Sequence, residues 1–454
     1  MRKAVLKRPF FYCKIFSMRY FIITYGCQMN KSDSERIATI LEEIGYQPAS
    51  KINEADLILI NMCSVRQSAV DRVFGISQKL SKLKTQKSKV KTILTGCVLK
   101  SDKKKFAKKF DLILNIKDLP NWPKLLGSMN YGVGITNYFD ILPKHRNNFS
   151  AFIPISNGCN NFCAYCVVPF VRGLLVCRNH EEILEEAKKV LEKGFKEIWF
   201  LGQNVNDYQS PTDPSINFPK LLKMVNNIPG NFWIRFTSPH PKDFSDELIE
   251  TMAKCQKVTP YLNLPVQSGD NEILKKMNRP YTVEQYKNLV KKIRTTFKKY
   301  RMGLEKEIAI STDIIIGFPG ETKKQFENTV KLSKEIKFDM AYIAKYSPRP
   351  GTVAAKMKDD VASQKKEKRY KILTKILKEK ALEKNKKYIG KEVEVLIEKS
   401  KNDFLIGKTR NYKTIKIEIL HTKYSILNTY TIGQFLKTKI IDALAWGLKG
   451  VLTD

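Results

Sequence analysis

The N-terminal third of the chain repeats one pattern: an apolar run closes on a cysteine, and a polar, helix-like stretch follows. The runs are Tyr20-Phe21-Ile22-Ile23-Thr24-Tyr25-Gly26-Cys27, Leu57-Ile58-Leu59-Ile60-Asn61-Met62-Cys63 and Thr92-Ile93-Leu94-Thr95-Gly96-Cys97. Short β-rich runs bounded by Gly or Asn, alternating with amphipathic stretches, predict a parallel sheet with crossover helices. Between the first two runs Ile37, Ile40, Leu41 and Ile44 keep helical spacing, with Ser32 or Asp33 as the expected cap. A fourth strand is expected over 111–116, and residues 120–148, rich in Asn, Pro and Gly, read as a connection.

A longer αβ series then begins. Strands are expected over 151–156, 197–201, 233–237, 261–265, 309–317 and 341–346, with helices between them. The clearest helix covers 181–193, where Ile183, Leu184, Ala187, Val190 and Leu191 share a face. Six strands alternating with helices suggest a partial barrel whose site lies at the strands' C-terminal ends. After a Lys-rich helix over 364–387, β-like runs at 392–397, 404–407, 414–420 and 435–443 predict a small β-barrel. There Lys408, Arg410, Lys413 and Lys416 interleave with Phe404 and Tyr412, which suits either RNA contact or a solvated face over core aromatics.

Length and charge narrow the class. At roughly 150 residues per domain, 454 residues suit about three domains. Lys and Arg number 81 against 45 Asp and Glu, a net charge of +36. A Lys-rich proteome would account for part of that surplus, and the remainder favours a polyanionic partner. The most apolar early stretch, 10–25, is broken by Lys14 and Arg19, so no membrane span is expected. The basic segment 1–17 lacks a small-residue cleavage site. It reads as an early start, with Met18 as the natural first residue, rather than as a targeting sequence.

Nine cysteines are too few for a disulfide scaffold and odd in number, and six fall in two groups of three. Cys27, Cys63 and Cys97 sit at equivalent strand ends, where parallel sheets bind ligands. One such cysteine would read as a core thiol; three suit a metal site better. The second group is Cys159-Asn160-Asn161-Phe162-Cys163-Ala164-Tyr165-Cys166, directly after the first barrel strand. Three thiolates on a four-iron cube leave one iron open, able to hold S-adenosylmethionine (SAM). Structural zinc wants four ligands, and no fourth Cys or His lies nearby.

This loop, with Tyr165 before its third cysteine, resembles the radical SAM signature. The wider segments Tyr25-Gly26-Cys27-Gln28-Met29-Asn30, Asn61-Met62-Cys63-Ser64-Val65-Arg66, Leu201-Gly202-Gln203-Asn204-Val205-Asn206, Phe236-Thr237-Ser238-Pro239-His240-Pro241, Leu264-Pro265-Val266-Gln267-Ser268-Gly269 and Tyr346-Ser347-Pro348-Arg349-Pro350-Gly351-Thr352 resemble the methylthiotransferase family, and the first its MiaB-type branch. The resemblance runs in collinear order from about Met18 to the C-terminus. It implies an α/β architecture: a Rossmann-like methylthiotransferase domain (18–140), a partial (βα)6 radical SAM barrel (145–385) and a small TRAM β-barrel (388–454). It also implies that Cys159, Cys163 and Cys166 hold a SAM-cleaving 4Fe–4S cluster, and that Cys27, Cys63 and Cys97 hold an auxiliary one carrying the sulfur to be transferred. SAM would be used twice, once to methylate that sulfur and once to generate the radical that removes hydrogen from carbon 2 of an adenine. Gly202, Gln203, Asn204, Ser311, Thr312 and Asp313 are candidates for the SAM pocket. Arg172 and Arg178 read either as contacts to the SAM carboxylate or RNA phosphate, or as plain surface arginines.

Several positions depart from the family's pattern. Leu175 stands in place of Glu, Cys177 of Ser, Asn263 of His, Pro280 of Gly and Met62 of Thr. Cys13, Cys177 and Cys255 read as spare thiols. The expected partners are the tRNA anticodon stem-loop and an electron donor such as flavodoxin or ferredoxin, for a monomer in the cytoplasm without a membrane contact. Tyr-Gly-Cys-Gln-Met-Asn favours isopentenyl-adenosine as substrate. Threonylcarbamoyl-adenosine, a ribosomal-protein aspartate and a non-catalytic iron–sulfur RNA-binding role stay open.

Overall fold

The structure, a computed structural model, describes residues 18–87, 89–127, 137–145, 147–401, 404–419 and 432–453. The basic segment 1–17, with Cys13, lies outside the described residues. Five parallel strands, β1 (Arg19–Tyr25), β2 (Gln47–Pro48), β3 (Leu57–Cys63), β4 (Lys91–Cys97) and β5 (Leu112–Ile113), lie in the order β2-β1-β3-β4-β5. All of β3 is buried, as a central strand covered on both faces must be. Its alternate residues feed two cores. Leu57 and Leu59 meet Ile37, Ile40 and Leu41 of helix α1 (Gln28–Glu43), while Ile58 and Ile60 meet Val70, Val73 and Leu80 of α2 (Gln67–Gln86). The fourth expected strand is the two-residue edge β5, and the other edge, β2, carries no apolar pattern that would announce it.

Helix α1 begins one turn earlier than its hydrophobic spacing suggested. Cys27 is the N-cap, and Asn30 closes the cap by accepting from the Cys27 N–H at 3.2 Å. Ser32 and Asp33, expected as the cap, lie inside the helix and are fully buried. They serve tertiary contacts instead: Ser32 accepts from Arg36 Nη1 at 2.7 Å and Asp33 pairs with Arg172 at 2.6 Å.

The barrel strands are β6 (Ser150–Pro154), β9 (Glu197–Leu201), β10 (Trp233–Phe236), β11 (Tyr261–Asn263), β12 (Ala309–Ile316) and β13 (Met340–Lys345). They form two parallel sheets, β6-β9-β10 and β11-β12-β13. One bridge, Ile234 to Val258, reaches from β10 toward the second sheet. A short antiparallel pair, β7 (Ser156–Asn157) and β8 (Val176–Cys177), frames the cysteine loop. All six expected strands are present, in a partial barrel packed around one large core.

The C-terminal strands β14 (Glu392–Lys401), β15 (Phe404–Thr409), β16 (Thr414–Glu418), β17 (Phe435–Leu444) and β18 (Gly447–Leu452) close a barrel in the order β14-β15-β16-β18-β17. The sequence pattern showed four of the five. Gly447 and Gly450 dilute β18, and the barrel needs them small: a Cβ on Gly450 would stand 2.5 Å from Thr438 Cγ2. Among the described residues no helix is long and apolar enough to cross a membrane.

The basic cluster that suits either RNA contact or a solvated face over core aromatics is largely absorbed at the junction of this small barrel with the (βα) barrel. Arg410 pairs with Glu305 at 2.5 Å, and Tyr412 packs on Trp199 and Tyr261. Lys413 is buried against Asp339 at 2.7 Å, beside Lys384 at 2.6 Å. Only Lys416, lying over Phe404, keeps the exposed basic-aromatic arrangement of that set. Asp339 is mostly desolvated, yet the two lysines hold its carboxyl down at about 2. A folded-state value below the unfolded value of about 4 stabilises the fold above pH 4, and this is lost as pH falls toward 2, a contribution of about 2 kcal/mol. Wild type and Asp339→Asn unfolded in urea at a series of pH values should therefore differ most above pH 4. A stability gap that does not shrink between pH 4 and 2 would contradict this.

Candidate functional site

Cys63 and Cys97 end β3 and β4 and are direct register partners, while Cys27 follows β1 at the cap of α1. Topology thus gathers the three thiols at the carboxyl end of one sheet. A hydrogen bond between the two paired thiols is the largest influence on both. It draws Cys97 down to about 6, with Arg172 adding to the fall against the effect of burial, and it pushes Cys63 up. Arg172 Nε donates to Cys97 Sγ at 3.1 Å. Asn30 Nδ2 donates to Asn61 Oδ1 at 3.0 Å and lies 3.9 Å from the same sulfur. Gly96, at φ +100°, lets Asn61 approach: a Cβ there would meet Asn61 Oδ1 at 2.3 Å.

The second triplet sits on the loop between β7 and the helix Val168–Arg172. The loop is held where it leaves β7. Gly158 N donates to Gln203 Oε1 at 2.5 Å, and Cys159 N donates to the Gly173 carbonyl at 3.2 Å. Asn161 donates to Cys159 Sγ from backbone and side chain, each at 3.5 Å. Arg279 Nη1 donates to Cys163 Sγ at 3.6 Å. Burial drives the Cys166 thiol up to about 12, so a metal has to displace its proton.

Among the described residues no three His, Cys, Asp or Glu side chains converge as ligands of a single ion do. A cluster spreads its thiolates over several irons, and each triplet here offers only soft sulfur donors. Each also has a buried arginine at one sulfur, the right partner for a site that carries net negative charge. The residues present therefore fit iron–sulfur clusters better than a closed zinc shell.

A cavity of about 410 Å³ lies between the N-terminal sheet and the (βα) barrel, lined by Cys27 and Cys63 on one side and by Gly202, Gln203, Thr237 and Ser238 on the other. Arg66 and Arg72 stand exposed on its wall. Of the residues expected at the SAM pocket, Gly202 and Gln203 face this cavity. Asn204 is buried and occupied with Asp243 Oδ2 and the His240 N–H. Ser311 and Asp313 belong to a chain running Tyr261–Ser311–Asn263–Asp313, with contacts of 2.9, 2.8 and 3.0 Å. Thr312 is tied to the Leu264 carbonyl at 2.8 Å.

The chain is 41% identical over 450 residues to a relative from Clostridium botulinum (strain Langeland), covering 95% of this chain and 96% of that one. A relative from Clostridium novyi (strain NT) is 42% identical over 453 residues, at 96% and 97% coverage. One from Acetivibrio thermocellus is 38% identical over 448, at 95% and 90%. All three are named tRNA-2-methylthio-N(6)-dimethylallyladenosine synthase. The chain belongs to this synthase family. Family models agree in order along it: the uncharacterized protein family UPF0004 over 19–115, the radical SAM superfamily over 153–333 and a TRAM domain over 386–453. Among solved structures, the radical SAM methyltransferase TsrM of Kitasatospora setae with tryptophan and a SAM analogue bound matches at TM-score 0.53 and 14% identity, over 75% of each chain. At that identity the likeness is one of fold.

Within this synthase fold two sequence expectations need correction. Arg172 and Arg178 are not surface arginines, nor free for RNA. Arg172 is bound to Asp33 and Cys97, and Arg178 to Glu182 and Glu186. Leu175, in place of the usual Glu, is half-buried and presents its N–H to Asn160 Oδ1 at 3.0 Å. Asn263, in place of His, is the centre of the Ser311–Asp313 chain. Cys177 is half-buried on β8 and Cys255 is buried in the barrel core. The sequence reading missed Arg279 and gave Asn30 no role. Asn30 had a local signal, its place three residues after the cap; Arg279, which is 116 residues from Cys163, had none.

Proposed function

We propose that the chain attaches a methylthio group to carbon 2 of N6-isopentenyladenosine beside the anticodon of tRNA. The observation that carries this reading is identity of about 40% across nearly the whole length of synthases named for that product. Cys159, Cys163 and Cys166 would hold one 4Fe–4S cluster, and Cys27, Cys63 and Cys97 a second. When bound, the clusters and SAM supply the electron, the radical chemistry and the sulfur that no side chain can provide. The protein's own part is placement. Arg172 and Arg279 brace one sulfur in each triplet. The cavity between the domains keeps the adenine out of bulk water, with Gly202 and Gln203 at its barrel edge. Arg66 and Arg72 offer phosphate contacts at its wall, and the net charge of +36 draws RNA in. A small electron carrier such as flavodoxin or ferredoxin would reduce the centre.

The test uses a bacterium lacking its own methylthiotransferase, with and without this gene. Nucleosides from its tRNA are analysed by mass spectrometry. A methylthio group is expected on isopentenyl-adenosine, and Cys63→Ala or Cys163→Ala should each remove it. Modification of threonylcarbamoyl-adenosine instead would move the chain to that substrate. No change in any nucleoside, from folded protein with both clusters loaded, would overturn the proposal.

A further inference from the structure

Arg172 links the two cysteine triplets. It closes the helix Val168–Arg172, six residues beyond Cys166, and its Nε reaches Cys97 Sγ at 3.1 Å. The far edge of the guanidinium is clamped. Nη2 meets Asp33 Oδ2 at 2.6 Å, and Nη1 meets Asp33 Oδ1 at 3.5 Å and Asn157 Oδ1 at 3.1 Å. The side chains of Arg172 and Asp33 are 3% and 0% exposed. Asp33 also accepts from the Tyr138 hydroxyl at 2.6 Å. Val167 and Val171 pack against Cys63, Cys97 and Leu99, so the segment that leaves one triplet is seated on the other.

An iron–sulfur centre gains negative charge when reduced. A fixed cation or N–H donor at a ligand sulfur favours that state. Arginine is suited to this because it cannot lose its proton and its fork holds several partners at once. Asp33 acts in two opposing ways: it fixes the guanidinium, and its charge offsets part of the cation's field at the sulfur.

We infer that Arg172 is a positioning residue that sets the SAM-cleaving loop against Cys97 and raises the reduction potential of the N-terminal cluster, with Asp33 as the counter-charge that limits the rise. This rests on the reading of Cys27, Cys63 and Cys97 as a cluster site.

The experiment uses the full-length chain carrying Cys159→Ala, Cys163→Ala and Cys166→Ala, so that only the N-terminal triplet can load. Iron and sulfide are measured, then the midpoint potential is determined by a redox titration followed by electron paramagnetic resonance. Arg172→Gln should shift the potential down and Asp33→Asn should shift it up. Arg172→Lys, which keeps the charge but loses the fork, should fall between wild type and Arg172→Gln. Loosened packing alone would not give opposite shifts from two members of one ion pair. If the reference chain loads no cluster, the cluster-site reading fails and the inference with it. If it loads one, and Arg172→Gln and Asp33→Asn leave the potential unmoved or move it the same way, the inference alone is overturned. Should Arg172→Gln not fold, the upward shift of Asp33→Asn decides the matter, and no shift there overturns it.

Discussion

Gly158→Ala is expected to lower the reductive cleavage of SAM by more than about 100-fold, the scale of loss produced by an ångström of misplacement at a reacting centre. Gly158 precedes Cys159 with φ +86°, a conformation that costs an L-residue roughly 1–2 kcal/mol. Space is the larger obstacle. A Cβ would lie 2.0 Å from the Leu174 carbonyl oxygen and 2.7 Å from that of Gly173, both rigid backbone. The loop has to move away, carrying Cys159 and the Gly158 contact to Gln203 with it. Deoxyadenosine formed after chemical reduction measures the effect. Iron content should fall by about half, since the N-terminal triplet is untouched. Gly194→Ala is the control: its φ is +88°, but nothing lies within 4 Å of the added carbon. If Gly158→Ala behaves like Gly194→Ala, the close approach at the loop does not govern the site.

Arg235→Met is expected to destabilise the protein by about 3–5 kcal/mol, the cost of breaking a buried ion pair from one side. Arg235 is 2% exposed and pairs with Glu197 at 2.6 Å. It donates to Thr259 Oγ1 at 2.9 Å and to the carbonyls of Arg410 and Thr409 at 2.9 and 3.0 Å. One guanidinium therefore joins β9, β10 and the C-terminal barrel. Its removal strands the Glu197 carboxylate, which keeps only Ser150 Oγ and Trp199 Nε1 as donors. Urea unfolding followed by fluorescence reads the junction directly, because Trp199 and Trp233 border it. Adding Glu197→Gln to Arg235→Met should restore part of the loss by removing the stranded charge. A single-variant loss below about 1 kcal/mol would mean that the pair does not hold the junction.

Much of the fold was legible because its signals are local. Alternation between apolar β runs and amphipathic helices marks β1, β3 and β4 and the six barrel strands, and each run is long enough to be read without knowing its neighbours. The failures occurred where tertiary contacts outweigh local pattern. Ser32 and Asp33 look like a cap, but Cys27 takes that part with Asn30 closing it, and burial puts Asp33 to use against Arg172. Strand β18 is masked by glycines that barrel closure requires. Arg410 and Lys413, whose local pattern suits either RNA contact or a solvated face, are neutralised at the junction of the two barrels by Glu305 and Asp339, more than seventy residues away in the chain.

The candidate site divides along the same line. The sequence by itself determined the two cysteine triplets, because thiols at strand ends and at C-x3-C-x2-C spacing are a local chemical pattern. It also determined the family, because motif after motif follows in one order. Only the tertiary structure decided which groups stand beside those sulfurs. Arg172 reaches Cys97 across 75 residues and Arg279 reaches Cys163 across 116. Partners at that separation are chosen by strand order and domain packing, and a buried charge is set by what surrounds it rather than by what flanks it in the chain.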